Sequence, residues 1–384
     1  MKIAYVFSSG WPSNEAGISF TSYTCWGLAK ADEKNQIFFV VAKNTDKQPE
    51  KMMQDYFSVT KPNNLTIDLI DNKSLLSDSV KFYLKAYVRL KQLIKENNLD
   101  AIITRTVSFL PFLIRLKNKF GVKVFFEAHN FYLKEELKAS KPKRKRSFFQ
   151  KKFLPQVDGI IAHQTELIKQ YQQEIPKQRY CLARTGIRKI TKADDLWERE
   201  YLGYIGSIDG RKRVADILKA LTKIEDKNLK LLIIGGKIES RINKFLDLAE
   251  QLGIKDRVKI TGWVDRSEVE KYLRQIKIGL IPLEDTFFNR YLTSPMKIFN
   301  YFSHGLPVIG SDLPPVREIV TDDCGLFYNN QQELVAAINK LNSKQKLYQE
   351  FSQNVFTRAE DLLWEKRGAR LLKFIKATKN TGDA

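Results

Sequence analysis

Short apolar runs of strand length alternate along this chain with longer segments of helical period, and few folds accept that pattern. In the first half the runs are Ile3 to Phe7, Ile37 to Ala42, Leu65 to Ile70, Ala101 to Thr104, Val122 to Ala128 and Gly159 to Ala162. Strands apolar on both faces belong in a buried parallel sheet. Between two of them Val80, Tyr83, Leu84, Tyr87, Val88, Lys91 and Ile94 recur at spacings of three and four, a mostly apolar stripe that predicts a crossover helix. The alternation pauses at Thr185, Gly186 and Ile187, and the polar stretch through Glu200 has the character of an interdomain connection. A second series follows, with Tyr201 to Ile205, Leu229 to Ile234, Val258 to Thr261, Ile278 to Leu283, Pro307 to Gly310 and Gly325 to Tyr328 as its strands. Val214, Ile217, Leu218, Leu221 and Ile224 mark its first helix, with Asp209 as a cap.

The expectation is therefore an α/β chain of two doubly wound, Rossmann-like domains facing across a cleft. Residues 1–186 form the first, 187–200 the linker and 201–360 the second, each long enough to bury its own core. Ligands of such folds bind at the carboxyl ends of the strands. The three cysteines, Cys25, Cys181 and Cys324, are far apart and odd in number, which gives neither a disulfide framework nor a metal-ligand spacing. A reducing cytoplasm is the expected home. The run Ile3 to Phe7 is too short for a signal peptide, and no stretch approaches the ~20 apolar residues that a bilayer span needs.

The segment from Leu292 to Ser311 reads as loop, helix, tight turn and strand, with Thr293 or Ser294 as cap and Pro295 in the first helical position. The free N–H groups of such a helix end suit a diphosphate. Ser294-Pro295-Met296-Lys297, then Tyr301, Gly305, Pro307, Val308, Ile309 and Ser311, then Arg317-Glu318-Ile319, resembles the donor-binding segment of family 4 glycosyltransferases with the GT-B fold. Tyr204-Ile205-Gly206 through Lys212 resembles the start of that family's second domain, and Gly262-Trp263-Val264 its base-side loop. Leu363 to Arg367 resembles the opening of its closing helix, so the resemblance implies that residues 361–384 return to pack on the first domain.

What the resemblance implies is a retaining, metal-independent, hexosyltransferase-like enzyme, without cofactor, that uses a nucleotide-diphosphate sugar as co-substrate. Lys212 falls where the family contacts the donor diphosphate, and its charge would stabilise the leaving nucleotide. Ser207 stands where the family usually has an arginine, so Arg211 is the candidate to replace that phosphate contact. Leu292 and Asn300 occupy the places of two glutamates eight positions apart. Asn300 can still bond the ribose diol, while Thr293, Ser294, Glu284 and Asp285 are the candidates to stand in for the first glutamate. His129, at the end of a strand, matches the family's active-site histidine and would hydrogen-bond the donor sugar or orient the acceptor, or else pack its loop. His163 and His304 read as structural or merely exposed. The stretch Ser8 to Ile18 corresponds to the family's glycine-rich loop, with Gly17 as the glycine that lets a phosphate or acceptor approach the backbone.

Net charge is the remaining constraint. Of the formal +21, residues 1–186 carry +14, which calls for an anionic partner on that half. Between Lys134 and Lys152 stand nine Lys or Arg, followed or interleaved by Phe148, Phe149, Phe153, Leu154 and Val157. From Lys138 to Lys152 this is either a surface for anionic lipid or a solvated stretch before a core-packing helix. A lipid, lipid-linked or saccharide acceptor at the inner face of the membrane fits the first of these. Nucleic acid is not expected, since charge alone prompts it and no recognition module accompanies it. A GT-B subunit without activity is the other rival, prompted by Ser207, Leu292 and Asn300.

Overall fold

The computed structural model describes residues 1–71, 78–134, 140–193, 195–208 and 213–378. It divides into two compact units, Met1–Gly186 with Trp364–Ala384, and Ile187–Leu363. Among the described residues no helix is long and apolar enough to cross a membrane.

The first unit is built on seven parallel strands: β1 Lys2–Trp11, β2 Gln36–Lys43, β3 Leu65–Ile70, β4 Ala101–Thr104, β5 Lys123–Ala128, β6 Gly159–Ala162 and β7 Tyr180–Leu182. Their order is β3-β2-β1-β4-β5-β6-β7, so the winding reverses between β1 and β4. Ile3 pairs with Ile37 on one side and Ala101 on the other, and all three side chains are fully buried. β7 was not foreseen; three residues behind Gln178 and Arg179 are too short for a periodic signal, and pairing with β6 alone defines the strand. β1 also runs past Phe7, through an irregularity, to Trp11. The indole of Trp11 drives this, being fully buried, stacked on Phe57 at 6.0 Å and donating its N–H to Ser22 Oγ at 3.0 Å.

The helix Asp78–Asn97 forms as the spacing predicts, but another of its faces is buried. Val80, Leu84 and Val88 are 47, 48 and 65 % exposed, while Phe82, Ala86, Leu90 and Leu93 pack inward. The helix is apolar on more than one side, so spacing alone admitted two faces, and the larger ring at Phe82 went to the sheet. Tyr83 and Tyr87 turn to a neighbouring aromatic group, Tyr83 stacking on Phe109 at 5.4 Å and Tyr87 meeting Phe112 at 6.0 Å.

The helix Trp364–Ala377 completes this unit against the helix Ala16–Ala31. Two glycines make the approach possible. A Cβ at Gly27 would stand 2.3 Å from the Trp364 carbonyl oxygen, and one at Gly368 would stand 2.2 Å from that of Gly27. Trp364 stacks on Tyr23 at 5.5 Å and meets Phe20 edge-on. Beneath it lies a buried polar knot: Arg367 pairs with Glu127 and donates to Thr24 Oγ1 at 3.1 Å, and Tyr5 donates its hydroxyl proton to the other Glu127 oxygen. Burial, then the Glu127 charge, raises the Tyr5 pKa well above the usual phenol value, so this donor does not ionise.

The second unit holds six parallel strands, β8 Tyr201–Ile205, β9 Lys230–Ile234, β10 Val258–Ile260, β11 Ile276–Ile281, β12 Val308–Ser311 and β13 Gly325–Tyr328. Their order, β10-β9-β8-β11-β12-β13, reverses between β8 and β11. Residues 187–200, read as a linker, run along this unit: Ile187 donates to the Leu362 carbonyl at 2.7 Å, and Leu196 is in the core. Trp197 holds the segment down by taking the Lys277 ammonium over its ring at 3.7 Å.

Candidate functional site

Each of the first three strands of the second unit ends in a glycine with positive φ. β8 runs into Gly206 (φ 151°), β9 into Gly235 (132°) and Gly236 (103°), and the chain after β10 into Gly262 (70°). These turns are tied together. Gly206 donates to the Ile234 carbonyl at 3.0 Å, Gly235 donates to Thr261 Oγ1 at 3.3 Å, and Thr261 Oγ1 donates to the Gly262 carbonyl at 2.8 Å. Of the four, Gly235 is the position with no alternative. Its φ suits no L side chain, and a Cβ there would fall 2.3 Å from the Gly206 carbonyl oxygen.

The turns enclose a cavity of about 450 Å³ at the carboxyl ends of β8, β9 and β10. Of the residues expected from sequence, Gly206, Ser207, Trp263 and Lys297 line it. Gly262 does not line it but makes the turn that carries Trp263, whose side chain is 54 % exposed. Ser294, Pro295, Met296 and Asn300 are not in its wall. Arg211, Lys212 and the proposed cap Asp209 lie outside the described residues. The sequence reading missed Gly235, Gly236, Lys237, Ile238 and Arg241, all of which line the cavity. A signal was present, since Gly-Gly-Lys directly follows the apolar strand Leu231 to Ile234.

The expected helix end at Thr293 or Ser294 is corrected. The helix is Met296–Phe302, seven residues, with Pro295 as its cap and no side-chain cap bond. The Met296 N–H is already given to the Ser294 carbonyl at 2.8 Å, and Thr293 Oγ1 donates instead to Asn289 Oδ1 at 3.1 Å. Two groups counted on at this helix end are thus engaged locally. Asn300 is half-buried, one turn along from Lys297, and its carbonyl accepts the Ser303 hydroxyl at 2.7 Å. Tyr301 is structural: fully buried, it donates to the Gly203 carbonyl at 2.9 Å and accepts the Ile205 N–H at 3.1 Å. It thereby fixes the last residues of β8, from which Gly206 follows.

In the first unit a second group gathers at the carboxyl ends of β1, β4, β5 and β6. Gly17 is the second residue of the helix Ala16–Ala31, and its carbonyl accepts from Arg105 Nη1 at 3.2 Å. His129 follows β5, edge-on to Phe20 at 4.6 Å and stacked on His163 at 5.2 Å. His163, set aside as structural, is therefore part of the same group. His129 Nε2 is buried with no hydrogen-bond partner. Burial, then the charges of Arg105, His163 and Arg367, hold its pKa well below the ordinary histidine value, so the imidazole is neutral at physiological pH. His304 lies in the second unit, its Nε2 3.1 Å from Glu270 Oε2. Among the described residues, no group of three or more His, Cys, Asp or Glu is disposed to hold a metal ion.

Comparison with known proteins bears on both units. Residues 188–358 match the family described as glycosyl transferases group 1, which is nearly the whole of the second unit. A putative teichuronic acid biosynthesis glycosyltransferase of Bacillus subtilis (strain 168), TuaH, is 25 % identical over 124 residues, 31 % of this chain. That match spans only 30 % of the relative's length. Similar solved structures include sucrose-phosphate synthase from Thermosynechococcus elongatus, with a TM-score of 0.71 at 15 % identity over 98 % of each chain. The lipopolysaccharide outer core galactosyltransferase WaaB superposes with 0.68 at 18 % identity, over 99 % of this chain and 100 % of its own. Anabaena Alr3699/HepE in complex with UDP and glucose gives 0.68 at 14 %, over 98 % and 100 %. The chain thus has the GT-B fold, and within its second unit residues 188–358 resemble the group 1 glycosyl transferases.

Proposed function

We propose that this protein transfers a sugar, with retention, from a nucleotide-diphosphate sugar to a lipid, lipid-linked or saccharide acceptor. The carrying observation is the cavity at the ends of β8, β9 and β10, walled by Gly206, Gly235 and Gly236 and bearing Lys237, Arg241 and Lys297. Glycine turns let a polyanion approach backbone N–H groups, and three cations lower the cost of holding it. On departure the nucleotide gains charge, and cations placed beforehand stabilise that change more than they stabilise the bound substrate. Lys212 has this role by resemblance, Asn300 that of holding the ribose, and Trp263 that of facing the base. Ser207 leaves one cation fewer than the family carries, and Lys237 and Arg241 compensate. His129, kept neutral, is suited to share a hydrogen bond with the donor sugar or the acceptor rather than to act as a charge. The transfer proceeds without a metal, the cations doing its electrostatic work.

That HepE was solved with UDP and glucose makes uridine diphosphate sugars the first donors to try. A panel of nucleoside diphosphates and their sugars read by thermal shift tests the reading. One member is expected to raise the melting temperature, and silence from all of them would defeat it. With that donor, Lys212→Ala is expected to cut turnover tenfold or more, roughly the value of one lost charge contact, with an unchanged melting curve. Unaltered turnover removes Lys212 from the mechanism.

Work at the cytoplasmic face of an anionic membrane is part of the same reading. The helix Lys141–Phe153 presents Lys143 to Arg146 and an exposed Phe148, and the exposed Val80, Leu84 and Val88 belong to the same unit. Lys138 lies outside the described residues. Apolar side chains among cations suit the headgroup boundary of acidic lipid, each charge contributing about 1 kcal/mol. Replacing Lys143 to Arg146 with serine is expected to reduce sedimentation with phosphatidylglycerol vesicles several-fold while nucleotide binding stays. Equal sedimentation of the two proteins ends the membrane assignment.

A further inference from the structure

Arg105 directly follows β4, beside the point where the strand order of the first sheet reverses. Its guanidinium is half-buried, 5.0 Å from the ring centre of Phe7 and 5.6 Å from that of Phe20. One N–H goes to the Gly17 carbonyl. Among the described residues no carboxylate pairs with Arg105. The neighbouring guanidinium, Arg367, is matched by Glu127, and the imidazole between them is neutral. Among the described residues one positive charge is therefore in surplus at this edge of the sheet, partly withdrawn from water. Such an arrangement is costly for a folded protein unless an anion completes it.

We propose that Arg105 binds an anionic group on the acceptor, a phosphate or a carboxylate, so that the acceptor is a phosphorylated or acidic saccharide rather than a neutral one. Calling this ligand the acceptor rests on the glycosyl-transfer reading; the anion site itself does not. A guanidinium with one N–H tied to a carbonyl still offers a planar pair for two oxygens of the same group. The rings of Phe7 and Phe20 hold that plane and keep water from one side of it. The hydroxyls of Ser8, within β1, and Thr106, two residues past β4, are 3.5 Å apart and offer neutral hydrogen bonds to the rest of a sugar. His129 Nε2 is a further buried group in want of a partner.

The test uses the full chain with three probes, methyl phosphate, methyl glucuronoside and methyl glucoside, read by thermal shift. At roughly ten times its Kd, one anionic probe is expected to raise the melting temperature by about 3 °C, and the neutral glucoside not at all. Which anion responds identifies phosphate or carboxylate as the group. Arg105→Met is expected to lose the response, and Lys212→Ala to keep it, which separates this site from the donor diphosphate. Arg105→Lys, which keeps the charge and loses the planar pair, is expected to bind at least several-fold more weakly and serves if the methionine variant fails to fold. The proposal is overturned if neither anion shifts the wild type, or if the Arg105 variants respond like it. UDP is run alongside: a wild type that answers to methyl phosphate through Arg105 but to no nucleotide refutes the transferase reading and leaves this site standing.

Discussion

Arg367→Met is expected to destabilise the first unit by about 3–5 kcal/mol, the cost of removing one partner of a buried ion pair. Glu127 and Arg367 are each 2 % exposed, so neither charge has water to fall back on. In the variant the Glu127 carboxylate loses its cation and keeps the Tyr5 hydroxyl. The double variant Glu127→Gln with Arg367→Met is expected to lose less than the sum of the two single changes. Urea denaturation monitored in the first unit reads both the single and the double changes. A methionine variant within half a kcal/mol of wild type would show that the pair is not what closes the helix Trp364–Ala377 onto the sheet.

Gly235→Ala is expected to abolish nucleotide binding while leaving the second sheet folded. The methyl group would need both a φ of +132° and space already taken by the Gly206 carbonyl, 2.3 Å away. A backbone oxygen cannot rotate aside as a side chain can, so the turns after β8 and β9 must separate, and they are the cavity wall. Gly253→Ala is the control, having φ +67° and nothing within 4 Å of a Cβ. It should cost about 1–2 kcal/mol for its backbone alone and leave nucleotide affinity unchanged. If the two variants bind nucleotide equally well, the cavity is not the donor site.

The sheets were legible because their strands are buried on both faces, and an apolar run such as Leu229 to Ile234 has few other places to go. Helix faces were less so. The stripe through Val80, Leu84 and Val88 and the stripe through Phe82, Ala86 and Leu90 have the same spacing, and only the sheet beneath distinguishes them. Local competition hid the end of the helix Met296–Phe302, since Thr293 has a partner four residues earlier in Asn289 that the sequence does not announce. Gly235-Gly236-Lys237 stood in plain view after a strand but outside the segments that carried the family resemblance. Arg105 gave no signal at all, because one basic residue after an apolar run becomes notable only when its neighbours are known to lack a carboxylate for it.

The contact of Gly27 with Gly368 has a consequence for the order in which the chain can be made. The second unit is one continuous segment and needs no residue from outside 187–363 to finish its core. The first unit has no such independence, for the seat that receives Trp364 on Phe20 and Tyr23 is translated some 340 residues ahead of its occupant. Through most of synthesis, then, the amino-terminal half waits with an apolar face uncovered, and its last helix acts as the latch that ends the wait.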